Sequence, residues 1–170
     1  IAPRMTRVAV MFNPDTAPYA EYYLRPLTAA APKIGVKAFT VTVRSELEIQ
    51  KAIAALGREP NGGLIAMADS FLLIHRKSII DLTAQHKIPA IYPTANTARE
   101  GGLLAYGIDN ADLHRRAASH IDKILKGAKP GDLPIEQPTK FELVINGKTA
   151  KSLGLNIPQS LLIMANKVIE

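Results

Sequence analysis

Nine polar or aromatic residues of this chain follow runs of apolar ones and precede patterns of helical period: Asn13, Asp15, Tyr19, Asp69, Ser70, Tyr92, Thr94, Tyr106 and Asp109. Their types fit capture of a zwitterionic or amide-bearing small molecule. Carboxylates accept from an ammonium group, hydroxyls and helix N-termini donate to a carboxylate, and the three tyrosines offer flat apolar faces with polar tips. No nucleophile beside a base accompanies them. Ser70 and His75 lie five apart on one predicted helix and diverge, which argues against a hydrolytic triad with Asp69. Asp69 and Asp109 also have a purely structural reading as helix N-caps, where aspartate is favoured whatever the function.

Other chemistry loses its support by absence of motif. There is no G-x-x-x-x-G-K-[ST], no G-x-G-x-x-G and no G-x-S-x-G. A phospho-receiver domain would need clustered acids after the first strand and a lysine after the fifth; Asn13 with Asp15, and Tyr106-Gly107-Ile108, stand there instead. His75, His86, His114 and His120 never pair at i, i+4, so no metal is expected, and no cofactor is called for. Without cysteine, disulfides, thiol catalysis and thiolate metal sites fall together, and cytoplasm and periplasm stay equally open. The net charge of +6 is spread out, Arg76-Lys77 and Arg115-Arg116 are the only adjacent basic pairs, and 5% aromatic content gives no stacking ladder. A solvated basic surface explains this better than a nucleic-acid partner.

The elements that must position these residues follow from pattern. The 170 residues, 47% hydrophobic, are enough for one α/β domain. No apolar run reaches about eighteen residues and no basic-then-apolar leader is present, so nothing is expected to span a membrane, although a processed or truncated start would read the same. Strands are predicted at Arg7–Phe12, Val36–Val43, Leu64–Ala68, Ile88–Tyr92, Leu103–Tyr106 and Phe141–Asn146. Helices are expected from Pro18 to Ile34 with a kink or restart at Pro26, and after Ser45, where Glu48 completes a capping box and Ile49, Ile53 and Leu56 share a face. A further helix runs from Asp69 or Ser70 to His86 with Leu73, Ile74, Ile80 and Leu82 inward. One or two turns at Thr94–Glu100, a helix at 110–125, a short one at Thr149–Leu153, and a loop with a last helix over Ile157–Ile169 complete the pattern. Alternation of this kind gives a doubly wound, mainly parallel sheet flanked by helices, in the flavodoxin-like order 2-1-3-4-5. Residues 1–129 would form the lobe with its crossover helix, and 130–170 a proline-rich connector, a returning strand at 141–146 and C-terminal helices of the same lobe. Ligands gather outside the carboxyl ends of such strands, where all nine residues fall.

The segments MFNPDTAPYA, AYGID, HIDKILKGAKPGDLPIEQP and QPTKFELVINGKTAKSLGLNIP resemble the substrate-binding proteins of ABC transporters in the tryptophan-binding-like family, with the type I periplasmic-binding fold. The resemblance runs over nearly the whole chain but matches only the C-terminal lobe of a two-lobed protein. It implies an amino acid or related ligand, aromatic ones included, a membrane permease as partner, and a periplasmic or extracytoplasmic location. It also places Asn13, Asp69, Tyr92 to Thr94 and Asp109 at the cleft. Relatives often carry Asn-Ser after the NP turn, where this chain reads Asp15-Thr16-Ala17-Pro18-Tyr19, so the ligand stays open. The alternative is a stand-alone flavodoxin-like enzyme or ligand-sensing regulatory domain using the same sheet edge. In the resembled fold the helix at 110–125 belongs to the other lobe. Its stripe of Leu113, Ala117, Ile121, Ile124 and Leu125 would lack cover here, each large side chain costing on the order of 1.5–3 kcal/mol when left exposed. The helix is therefore expected to fold back on its own sheet or, preferably, to meet a second copy of the chain.

Overall fold

The computed structural model describes residues 1–170. Seven strands form one sheet: β1 (Arg7–Phe12), β2 (Lys37–Thr42), β3 (Gly62–Ala66), β4 (Ala90–Tyr92), β5 (Leu104–Ile108), β6 (Phe141–Asn146) and β7 (Lys167–Ile169). Their order is β2-β1-β3-β4-β5-β6-β7. The first five are parallel in the flavodoxin-like order that the sequence predicts; β6 runs antiparallel to β5, and β7 parallel to β6. β1 is buried from Val8 to Phe12 because both faces are covered. Ala9 and Met11 pack under helices α2 (Glu46–Gly57) and α4 (Arg76–Gln85), while Val10 and Phe12 pack under α1 (Ala20–Ala30). This two-sided cover is why the strand reads as an apolar run rather than an alternation.

Local chemistry sets most helix ends. Ser45 Oγ accepts from Glu48 N–H, and Ile49, Ile53 and Leu56 line the buried face of α2, as their spacing requires. α1 stays helical through Pro26, and the change of winding comes later, at a 3-10 turn over Ala31–Ile34. Gly35 closes that turn at φ 71°, a left-handed conformation that glycine adopts without strain.

Two expectations need correction. The single helix expected from Asp69 to His86 is broken at His75 into α3 (Ser70–Ile74) and α4. The break shifts the helical phase, so Leu73 and Ile74 are 47% and 75% exposed while Leu72, Ile79 and Ile80 are buried. The C-terminal stretch holds only a short helix over Gln159–Met164 before β7, where a terminal helix was expected. β7 is set by Asn166, whose N–H donates to the Leu143 carbonyl at 2.8 Å while its Oδ1 accepts from Leu143 N–H at 2.7 Å.

Of the two outcomes expected for α6 (Asn110–Leu125), folding back on its own sheet does not occur. Leu113, Ala117, Ile121, Ile124 and Leu125 remain exposed, and only the 130–138 connector lies alongside, across a shallow groove. The helix is fastened at its root by polar contacts. Asp109 N–H donates to the Lys140 carbonyl at 3.0 Å. The Asp112 carboxylate, on the only buried residue of the helix, takes Arg115 and Arg116 at 3.0 Å and Lys140 at 2.9 Å. The hydrogen bond from Lys140, joined by the charges of Lys140 and Arg116, outweighs desolvation and holds the Asp112 carboxyl below its ordinary range. No helix is long and apolar enough to cross a membrane.

Candidate functional site

Because β1 to β5 are parallel, the loops that follow them meet at one edge. Asn13 ends β1, Asp69 follows β3, Thr94 follows β4 and Asp109 follows β5. Asp69 organises that edge. Its Oδ2 accepts from Asn13 N–H at 2.6 Å, and its Oδ1 accepts from Thr16 Oγ1 at 2.5 Å and from Phe71 N–H at 2.8 Å, the last as N-cap of α3. One buried carboxylate thus ties the β1–α1 loop to the β3–α3 loop. Asn13 Oδ1 accepts from Asp15 N–H at 2.9 Å, which tightens the turn. Tyr19 donates its hydroxyl to the Ala68 carbonyl at 2.5 Å. Its phenol is pushed above the ordinary range, mainly by lost hydration and then by the charge of Asp69 and by Tyr23.

A groove of about 360 Å³ opens between the β3–α3 and β4–α5 loops, α5 being Ala95–Arg99. Asp69, Ser70, Tyr92 and Thr94 line it, with Met67, Leu72, Leu73, Ile79, Ile108, Arg76 and Asn110. Thr94 Oγ1 lies 2.8 Å from Thr97 Oγ1, and the exposed Ser70 side chain makes no hydrogen bond within the chain. A larger hollow of about 690 Å³ sits at the opposite, amino ends of the strands against Ile1–Met5 and Gly154–Asn156, away from the converging loops.

The remaining expected residues are placed otherwise. Asn13 and Tyr19 stand behind the groove, bound to Asp69 and Ala68. Asp15 turns to Arg44, 3.1 Å from its Nε. Tyr106, 55% exposed, stacks on Phe141 at 5.9 Å between centroids. Asp109 caps α6, accepting from Asp112 N–H at 3.0 Å, and its neighbours Ile108 and Asn110 reach the groove instead. Tyr92, expected to present a polar tip to a ligand, is buried with its hydroxyl 2.9 Å from Thr83 Oγ1. Thr83 gives its own proton to the Ile80 carbonyl, so Tyr92 donates. Its tip therefore faces inward and its ring supplies wall.

Sequence reasoning missed Met67, Leu72, Arg76 and Asn110. Adjacency to Asp109 could have flagged Asn110; Arg76 gave no signal, because it enters the groove only through the break at His75. His75 itself packs against Phe71, ring centroids 4.5 Å apart at a tilt of 51°, and makes no hydrogen bond to Ser70. No three His, Asp or Glu side chains gather as metal ligands.

Burial of Tyr92 gives a pH signature. Lost hydration pushes its phenol up to about 12, against the smaller downward effect of the Thr83 hydrogen bond. The folded state holds the neutral form, so as pH rises past about 10 the unfolded chain ionises first. Stability from this group is whole below pH ~10 and lost between there and about 12, on the order of 2 kcal/mol. Tyr92→Phe is expected to cost about 1 kcal/mol at neutral pH, because Thr83 keeps its bond to Ile80. By pH 11 the gap to wild type should close or reverse in urea unfolding. A constant gap across that range would contradict the assignment.

An α/β lobe with an open groove at the carboxyl edge of its parallel strands has the architecture in which small ligands gather at that edge. Comparison with known sequences makes this specific: the family model for ABC transporter substrate binding proteins matches residues 1–169, and the chain belongs to that family. The tyrosine-binding protein of Clostridioides difficile (strain R20291) is 22% identical over 155 residues, covering 91% of this chain and 44% of that protein. Two solved structures superpose along 99% of the chain. One is an ABC domain in complex with L-Trp from Streptococcus pneumonia, at TM-score 0.86, 25% identity and 57% of its length. The other is a conserved domain protein from Vibrio cholerae O1 biovar El Tor strain N16961, at TM-score 0.84, 26% identity and 56% of its length. The chain thus spans about half the length of the relatives that it matches.

Proposed function

We propose that this chain is one lobe of the solute-binding component of an ABC importer, capturing an amino acid with a large apolar or aromatic side chain and converting nothing. The groove carries the reading: apolar walls from Met67, Leu72, Ile79 and Ile108, with polar groups at Asp69, Ser70 and Thr94, at the sheet edge where loops converge. Relatives that bind tyrosine and L-Trp support the ligand class. Asn13, Asp15, Tyr19, Tyr106 and Asp109 frame the same edge, some through the loops they hold rather than by contact. A membrane permease would receive the ligand, outside the cytoplasm.

The groove is open to solvent, which would leave part of a bound ligand in water. Calorimetry on the two-lobed protein should therefore show binding of aromatic amino acids, and residues 1–170 alone should bind at least about tenfold more weakly, having forfeited contacts that offset the entropy of association. Equal affinities for the two, or no amino acid bound by the two-lobed protein, would overturn the reading.

A further inference from the structure

The groove contains a single cation. Arg76 begins α4, its side chain is 40% exposed, and it lines the groove. The guanidinium is held from behind. Its Nε donates to Glu100 Oε2 at 2.7 Å, its Nη2 to Glu100 Oε1 at 3.1 Å, and its Nη1 to the Leu73 carbonyl at 3.1 Å. Glu100 does not line the groove. Of the five N–H groups of an arginine these bonds use three, which leaves one on each terminal nitrogen.

The rest of the site offers a carboxylate little. Asp69 is acidic and already receives three donors from the chain. Thr94 shares its hydroxyl with Thr97, and Ser70 and Asn110 supply only neutral donors. A planar, permanently charged fork held in place is the group that recognises a carboxylate best, because little rotamer freedom remains to be lost on binding.

On the reading that the groove takes an amino acid, we infer that Arg76 is the residue that binds the ligand's carboxylate and sets the preference for amino acids over the corresponding amines. Glu100 and the Leu73 carbonyl fix the guanidinium so that its remaining N–H groups serve the groove.

The test compares L-tryptophan and L-tyrosine with tryptamine and tyramine by calorimetry on the two-lobed protein, in wild type, Arg76→Gln and Arg76→Lys. Wild type should favour each amino acid over its amine by about ten- to a hundredfold. Arg76→Gln should bring that ratio within about threefold, chiefly by weakening the amino acid, and Arg76→Lys should restore part of it. Should loss of the Glu100 clamp unfold the glutamine variant, the lysine variant and the wild-type comparison of tryptophan with its neutral amide still decide. An unchanged acid-to-amine ratio in a folded variant, or wild type binding acid, amide and amine alike, overturns the inference while leaving amino-acid capture standing. Failure of wild type to bind any of these amino acids instead removes the reading on which it rests.

Discussion

Gly107→Ala is expected to be the most damaging single-methyl change in the molecule. Gly107 lies in β5 opposite Glu142 of β6, and a Cβ built on it would fall inside the van der Waals surface of the Pro93 carbonyl oxygen. That oxygen is main chain and cannot swing aside. Pro93 is fixed between the buried Tyr92 and the Thr94–Thr97 hydroxyl pair, so the ends of β4 and β5 must part. Overpacking against backbone places the loss at about 3 kcal/mol or more. For a chain of this size that corresponds to a fall in Tm of roughly 6–12 °C. Gly131→Ala, where an added Cβ meets nothing within 4 Å, is the matched control and should shift stability by less than about 0.5 kcal/mol. The parting would open the groove between Thr94 and Ile108, so ligand affinity in the two-lobed protein should fall with stability. A Gly107→Ala melting curve that overlays the control would disprove the account.

Asp69→Asn should be nearly as costly as Asp69→Ala, against the usual expectation for an isostere. All three groups that meet the carboxylate are donors: Asn13 N–H, Thr16 O–H and Phe71 N–H. An asparagine can direct its oxygen toward Thr16 and Phe71, but its NH₂ then faces Asn13 N–H. Donor opposes donor in a buried place. The loss should be about 2–4 kcal/mol for either variant, since unpaired buried donors cost about 1–3 kcal/mol each and charge-assisted bonds are lost besides. Urea unfolding measures this, and an asparagine variant within about 0.5 kcal/mol of wild type would show that the loops are not tied through this residue.

These two residues also mark how far the sequence alone could be read. The carboxyl edge was legible, because doubly covered strands appear as apolar runs and a parallel sheet sends all their ends the same way; Asn13, Asp69, Thr94 and Asp109 share that edge as expected. Their partners were not legible. That Asp69 takes Asn13, 56 positions away, or that Tyr92 turns its hydroxyl to Thr83, depends on packing between elements distant in sequence. Ser45 and Glu48 announced a helix start, yet Glu48 Oε2 reaches back to Arg44 N–H, one residue before the cap. The break at His75 carries no proline or glycine, and it alone displaces Leu73 and Ile74 outward and brings Arg76 to the groove. β7 is three residues long, too short for alternation to register, and it exists because β6 presents an edge to it.

The fastening of α6 has a mechanical consequence. Sixteen residues make a rod about 24 Å long, so a tilt of about 10° at its root would sweep the far end by roughly 4 Å. The fulcrum is the Asp112 carboxylate with Arg115, Arg116 and Lys140, together with the Asp109–Lys140 backbone bond; farther along, only the 130–138 connector meets the shaft, where Glu136 lies 3.5 Å from Arg116 and 3.4 Å from His120. Salt acts on the two parts of this fastening unequally. At molar salt, where exposed charges are screened within about 3 Å, the Glu136 contacts should loosen and the far end of the rod swing more widely, while the buried Asp112 cluster and strands β1 to β5 hold.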